Sequence, residues 1–173
     1  MEFITSDQRD ELFESFRCEA FHLELRDHYG VPGEEGPFAR WRRGVPDDLG
    51  WLQPWLARVR AATSADRIVR RVRVVTEPVS DYIRWEHAVA PTNLEAGEDI
   101  RWLPRHRLSR LELPMSGADW WLFDDRLLAV GRFDDDGRVL GSELVTDAAV
   151  VARCAEVRDL LWAQAVPHDE YKI

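Results

Sequence analysis

The run at residues 69–75, V-R-R-V-R-V-V, limits the fold more than any other stretch. Four of its seven residues are valine, which favours a strand. Pro78 ends it and opens a helix over residues 79–89. Pro91 is expected to interrupt that helix, leaving a further short turn at residues 92–96. Residues 100–103 then read as a second strand. A strand, a helix and a strand in succession predict a parallel pair with the helix on one face of the sheet.

The flanking segments extend this unit. Residues 6–28 read as a helix capped by Ser6 or Asp7, with Leu12, Phe16, Ala20 and Leu23 on one stripe. Gly30, Pro32, Gly33, Gly36 and Pro37 mark a loop, with a short turn at residues 38–41. A second helix covers residues 48–62. Its buried face carries Leu52, Trp55, Leu56 and Val59, and Pro54 places its regular part from Gln53 onward. Residues 120–123, W-W-L-F, are apolar on both faces, so this strand is expected at the centre of the sheet. Asp134-Asp135-Asp136-Gly137 joins strands at residues 126–133 and 138–145 as a hairpin. Thr146 caps a last helix in which Val150, Cys154, Val157, Leu161 and Ala165 share a face.

The expected order is therefore ααβαββββα. It describes an α/β (α+β) fold with a mixed sheet of about five strands flanked by helices. With 173 residues, one domain spanning 1–173 is expected, mainly helical over 1–64 and mixed α/β over 65–167. Eight tryptophans and 45% apolar residues suffice for one core.

Acidic residues outnumber basic ones by 32 to 23, a formal charge of −9. That balance argues against direct nucleic-acid binding, which needs a basic face. Two cysteines do not make a disulfide scaffold, and both are placed on apolar helix faces. The N-terminus has no basic segment followed by a long apolar run, and no stretch reads as a membrane span. A cytoplasmic chain with no membrane association is expected.

The candidate site lies in the stretch from Arg70 to Arg105. On the helix after the first strand, Asp81, Tyr82, Trp85 and Glu86 occupy adjoining faces, while Arg84 and His87 project elsewhere. Arg73, Arg101 and Arg105 flank them on the strands. Guanidiniums pair with carboxylates or acidic ligands, and Tyr82 and Trp85 offer stacking area. The nine candidates are Arg73, Asp81, Tyr82, Arg84, Trp85, Glu86, His87, Arg101 and Arg105. The competing reading buries Trp85 and Tyr82 in the core, with the charged groups in structural ion pairs. No catalytic residue is specified, because no G-x-S-x-G or nucleophilic cysteine context accompanies His87. The five histidines show no H-E-x-x-H spacing, and the aspartate run reaches its glycine too early for an EF-hand. No metal or cofactor is expected.

Several stretches resemble an uncharacterised actinobacterial family of unknown function: E-S-F-R-C-E-A-F-H-L-E-L-R-D-H-Y, W-L-Q-P-W-L, R-R-V-R-V-V-T-E-P-V-S-D-Y-I-R-W-E-H, N-L-E-A-G-E-D-I-R-W-L-P-R, W-W-L-F-D-D and V-P-H-D-E-Y. Its members are typically encoded beside helix-turn-helix regulators, which implies a regulatory or accessory role. A second resemblance is to the degenerate phospholipase-D-like sensor domains of some bacterial regulators. It rests on residues 119–125 and 157–165, and it implies a phospholipase-D-like half. The active enzymes carry H-x-K-x-x-x-x-D. Lys172 is this chain's single lysine, so the motif cannot form, and the resemblance implies binding without that chemistry.

The resulting expectation is a non-enzymatic domain that binds a small ligand or a partner such as a helix-turn-helix regulator. One alternative is a hydrolase or transferase using Asp81, Glu86 and His87 as acid–base groups. The other is a self-associating protein, a homodimer for example, with the tryptophan strand as its interface.

Overall fold

The computed structural model describes residues 3–108 and 111–173. In chain order its elements are α1 (Ser6–Ser15), β1 (Glu19–Glu24), α2 (Glu35–Arg42), α3 (Gln53–Thr63), β2 (Ile68–Val75) and α4 (Asp81–Ala96). Then follow β3 (Glu98–Pro104), β4 (Trp120–Phe123), β5 (Leu127–Phe133), β6 (Val139–Val145), α5 (Ala148–Gln164) and β7 (Val166–Pro167). The strands form one seven-stranded sheet in the order β6-β5-β4-β1-β2-β3-β7. β1, β2 and β3 pair in parallel, and the remaining pairs are antiparallel. This is the expected mixed α/β architecture, with more strands than the expected five or so.

The largest correction falls on residues 6–28. They are a helix, a break and a strand, because two tertiary interactions override the helical stripe. Thr5 caps α1 in a capping box with Gln8. The Asp124 carboxylate then accepts from the backbone N–H groups of Arg17, Cys18 and Glu19 at 2.7, 2.7 and 3.0 Å. Those three bonds stop the helix and aim β1 between β2 and β4. From there Phe21 and Leu23 face one side of the sheet, and His22 and Glu24 the other. Cys18 is accordingly exposed in the connection, whereas Cys154 is buried on α5 as expected.

Three smaller corrections have local causes. α4 does not stop at Pro91. It runs on to Ala96, held by buried Val89, Ala90, Asn93 and Ala96 on either side of the exposed proline. The loop at residues 30–46 contains α2, a full helix rather than a turn. Asp147, not Thr146, caps α5 by accepting from Ala149 N and Val150 N.

The sheet is covered on both faces. α5 packs Val151, Cys154, Val157 and Leu161 against Phe21, Leu23, Val72, Val74 and Leu122. Burying one such leucine contributes about 1.5–3 kcal/mol. The opposite face lies under α1, α3 and α4, with Phe13, Leu56, Val59, Ile83, Trp85, Ile100 and Trp102 in its core. β4 is central, as expected, with β1 and β5 occupying its two edges. The tryptophan strand therefore has no free edge for self-association.

Candidate functional site

The face under α1–α4 is not uniformly apolar. The parallel register sets His22 beside Arg71 and Glu24 beside Arg73. The two arginines, two residues apart on β2, point to the same side. Arg71 Nη1 donates to Glu24 Oε1 at 2.6 Å, and its Nε donates to Glu98 Oε1 at 2.6 Å. Arg73 Nη2 donates to Glu86 Oε2 on α4 at 2.6 Å, and its Nη1 lies 2.7 Å from Glu24 Oε2. Glu98 also accepts from the Trp55 indole and from the Asn93 amide, both at 2.8 Å. At the margins, Tyr82 donates to Glu34 and Tyr29 donates to Asp119. The His22 ring stacks on Trp121, with centroids 4.1 Å apart.

All of these groups except the fully buried Glu98 line two adjoining cavities of about 230 and 590 Å³, which share His22, Glu34, Arg71, Arg73, Glu86 and Trp121. The lining runs from buried Arg73 and Glu86 out to exposed Arg9, Gly33 and Pro54, so the cleft opens to the surface. Four buried polar atoms of residues on its wall have no hydrogen-bond partner among the described residues: Arg73 Nε, His22 Nδ1, Trp120 Nε1 and Glu24 Oε2, the last held only in its ion pair with Arg73. Buried polar groups are normally satisfied, so such orphans call for an explanation.

The electrostatics follow from burial and mutual charge. Desolvation pushes the Glu34 carboxyl up to about 7, and the Glu86 charge adds to the rise. Desolvation also raises Glu86, against the pull of Arg73. Burial brings Asp119 up to about 6. Burial, reinforced by Arg71 and Arg73, holds His22 well below the ordinary imidazole value, so its ring is neutral at neutral pH. Burial works against the two guanidiniums, but Glu24 with Glu98 or Glu86 outweighs it, and both stay charged. The wall thus holds fixed charges of both signs beside aromatic rings. Among the described residues, no three His, Cys, Asp or Glu side chains converge to hold a metal.

Residues 7–173 match the model of a family described as a domain of unknown function, DUF6879. The chain is a DUF6879 protein. No curated protein matches it. Among solved structures, one matching chain is described as "Structure of TrmBL2, an archaeal chromatin protein, shows a novel mode of DNA binding". The two share 13% identity at a TM-score of 0.48, over 92% of this chain and 49% of that one. This chain thus spans about half the length of that structure. That neighbour is DNA-binding by its own description, which conflicts with the exclusion of nucleic acid drawn from net charge. The exclusion is withdrawn: overall acidity does not settle what one face of a chain contacts. A likeness this distant carries no function to the DUF6879 chain in return. Among the described residues, no helix is long and apolar enough to cross a membrane.

In this DUF6879 chain the nine candidate residues do not converge. Arg73, Tyr82 and Glu86 line the cleft. Trp85 is packed in the core against Trp51 and Phe38, at ring distances of 5.4 and 5.5 Å, and pins α2 and the turn just before α3 to α4. Asp81 and Arg84 are exposed, Asp81 only 3.8 Å from Arg42. His87 turns to the C-terminal segment, with its Nε2 3.1 Å from the Tyr171 carbonyl and its ring 4.4 Å from that of His168. Arg101 lies on the α5 face, 4.0 Å above the Trp162 ring. Arg105 closes the end of the sheet, donating to Thr76 Oγ1 at 3.0 Å and Val74 O at 3.2 Å. Asp81, Glu86 and His87 therefore diverge, and the acid–base arrangement they were to form is absent.

Sequence reasoning missed His22, Glu24, Glu34, Arg71, Glu98 and Trp121. A signal existed for three of them, His22, Glu24 and Arg71. Phe21-His22-Leu23-Glu24 and Arg71-Val72-Arg73 alternate with period two, placing polar groups together on one sheet face. Reading residues 19–24 as helix hid it.

Proposed function

We propose that this chain is a non-catalytic binding module, and that the cleft between the sheet and α1–α4 receives a small ligand. The observation that carries this reading is the Glu24–Arg71–Glu98 and Glu24–Arg73–Glu86 network at the base of a cavity open to the surface. Buried ion pairs seldom repay their desolvation, so such a network is a poor device for stability. Clusters of perturbed ionisable groups in a cleft are instead a feature of functional sites. Aromatic walls with a few convergent polar groups match the general character of small-molecule pockets. A regulatory role, with the ligand altering contact to a partner protein, fits such a module.

Native mass spectrometry tests the proposal. The purified chain is incubated with a small-molecule extract of cells and compared under native and denaturing conditions. A small-molecule adduct present only in the native spectrum is expected. Identical masses under both conditions would contradict the reading.

A further inference from the structure

One edge of the Arg73 guanidinium is half used. Its Nη2 donates to Glu86 Oε2 at 2.6 Å, and its Nη1 lies 2.7 Å from Glu24 Oε2 on the other side of the group. Nε shares an edge with Nη2 in the rigid guanidinium fork, and it has no partner among the described residues. A carboxylate that met both donors would fill this edge, but Glu86 accepts from one of them. Arg73 is only 7% exposed, and both it and Glu86 line the two cavities. The pair therefore presents, side by side, an N–H donor without an acceptor and a carboxylate acceptor.

The charges around the cleft favour neither sign. At the base Arg71 and Arg73 are paired with Glu24, Glu86 and Glu98, an excess of one carboxylate. At the rim Arg9 and Arg58 share Asp10, an excess of one guanidinium. The other two carboxyls, on Glu34 and Asp119, are raised by burial to about 7 and about 6, and each accepts from a tyrosine hydroxyl. The His22 ring is neutral. A charged ligand would give up its hydration without gaining an unopposed counter-charge, whereas a neutral one has no such cost. Phe13, Val31 and Trp121, on the walls of both cavities, suit a flat apolar body.

We propose that the cleft takes a small, flat, neutral molecule with a primary-amide or lactam edge, its carbonyl accepting from Arg73 Nε and its adjacent N–H donating to Glu86. This rests on the ligand-binding reading above. An amide carries its carbonyl and an N–H on one edge, an acceptor beside a donor. That order is the complement of the donor and acceptor that Arg73 and Glu86 present. Both bonds go to charged partners, so each is stronger than a bond between neutral groups. A ketone would leave Glu86 without a donor. An amidinium would set N–H against N–H at Arg73, and a carboxylate would set oxygen against oxygen at Glu86.

The test uses four probes of nearly one shape: benzamide, acetophenone, protonated benzamidine and benzoate. Each is titrated into the full chain at neutral pH by calorimetry, with the Trp121 indole resonance reporting whether the cleft is occupied. Benzamide is expected to bind at least about tenfold more tightly than each of the other three. Arg73→Lys keeps a positive charge for Glu24 and Glu86 but removes Nε, and should erase benzamide's lead over benzamidine. A lead that survives in this variant would overturn the contact at Nε. The probe series on the unaltered chain decides the matter even if the variant folds poorly. Any of the other three probes occupying the cleft as tightly as benzamide would overturn the choice of an amide and leave the ligand site standing. A cleft that benzamide does not enter overturns the choice as well, and the native mass spectrum then decides separately whether the ligand reading holds.

Discussion

Glu24 on β1 accepts from Arg71 on β2 at 2.6 Å, with only 9% and 10% of the two side chains exposed. The pair holds the middle of the parallel sheet, and Glu98 completes it from β3. Truncating the arginine leaves buried Glu98 without a counter-charge and Glu24 with Arg73 alone. Arg71→Ala should therefore lower the unfolding free energy by about 3–5 kcal/mol in urea denaturation. Arg84→Ala, on the exposed side of α4, should change it by no more than about 0.5 kcal/mol. Similar losses for the two variants would contradict the placement of Arg71.

The cleft carboxylates give stability a pH signature. Burial raises Glu34 from the ordinary 4.5 to about 7, so in that window the folded chain holds a proton that the unfolded chain has released. Its favourable contribution is complete below the unfolded value and is lost as pH rises through the folded value. Relative to wild type, Glu34→Gln should gain stability between about pH 4.5 and 7 and keep a constant margin above that window. A margin that does not change with pH would mean that Glu34 is solvated.

The C-terminal segment responds with the opposite sign. His168 donates no charge to its neighbours: burial first, then His87, holds it below the ordinary 6.5. His87 is lowered as well, by its own burial. A depressed imidazole contributes stability above its unfolded value and loses it as pH falls through the folded one. The His168 ring accepts from the Trp102 indole at 3.1 Å, and protonation removes that acceptor. Hydrogen exchange at residues 166–171, corrected for its intrinsic pH dependence, should accelerate on acidification below about pH 6.5, with the core of β2 unaffected. Uniform behaviour of both segments would count against this coupling.

Gly97 ends α4 at φ +104°, and a Cβ there would stand 2.7 Å from Thr63 Cγ2. Both the backbone conformation and the contact resist a side chain. Gly97→Ala should cost more than about 1 kcal/mol, measured by thermal or chemical denaturation. An unchanged midpoint would show that α4 ends differently.

Much of the fold was legible in local pattern. The valine-rich β2, the apolar β4, the Asp-Gly hairpin and the stripe of α5 each announce themselves within a few residues, because their period and turn chemistry are local. β1 was not legible, because Leu12, Phe16, Ala20 and Leu23 fit a helical stripe as well as Phe21 and Leu23 fit a strand. Its choice depends on Asp124, more than 100 residues away, capturing three backbone N–H groups. The candidate site was partly legible for the same reason. Arg73, Tyr82 and Glu86 sit in the β2–α4 unit that the sequence exposes. Their partners His22, Glu24 and Glu34 come from segments whose placement only the assembled sheet determines.

The most direct measurement is the tryptophan indole NMR spectrum of the full chain during a small-fragment screen. Trp55 and Trp121 line the cleft, whereas Trp162 packs on the α5 side of the sheet. A ligand site under α1–α4 predicts fragments that shift Trp55 and Trp121 in a saturable way and leave Trp162 in place. A screen in which no fragment shifts either cleft tryptophan, or in which hits gather at Trp162, would contradict it.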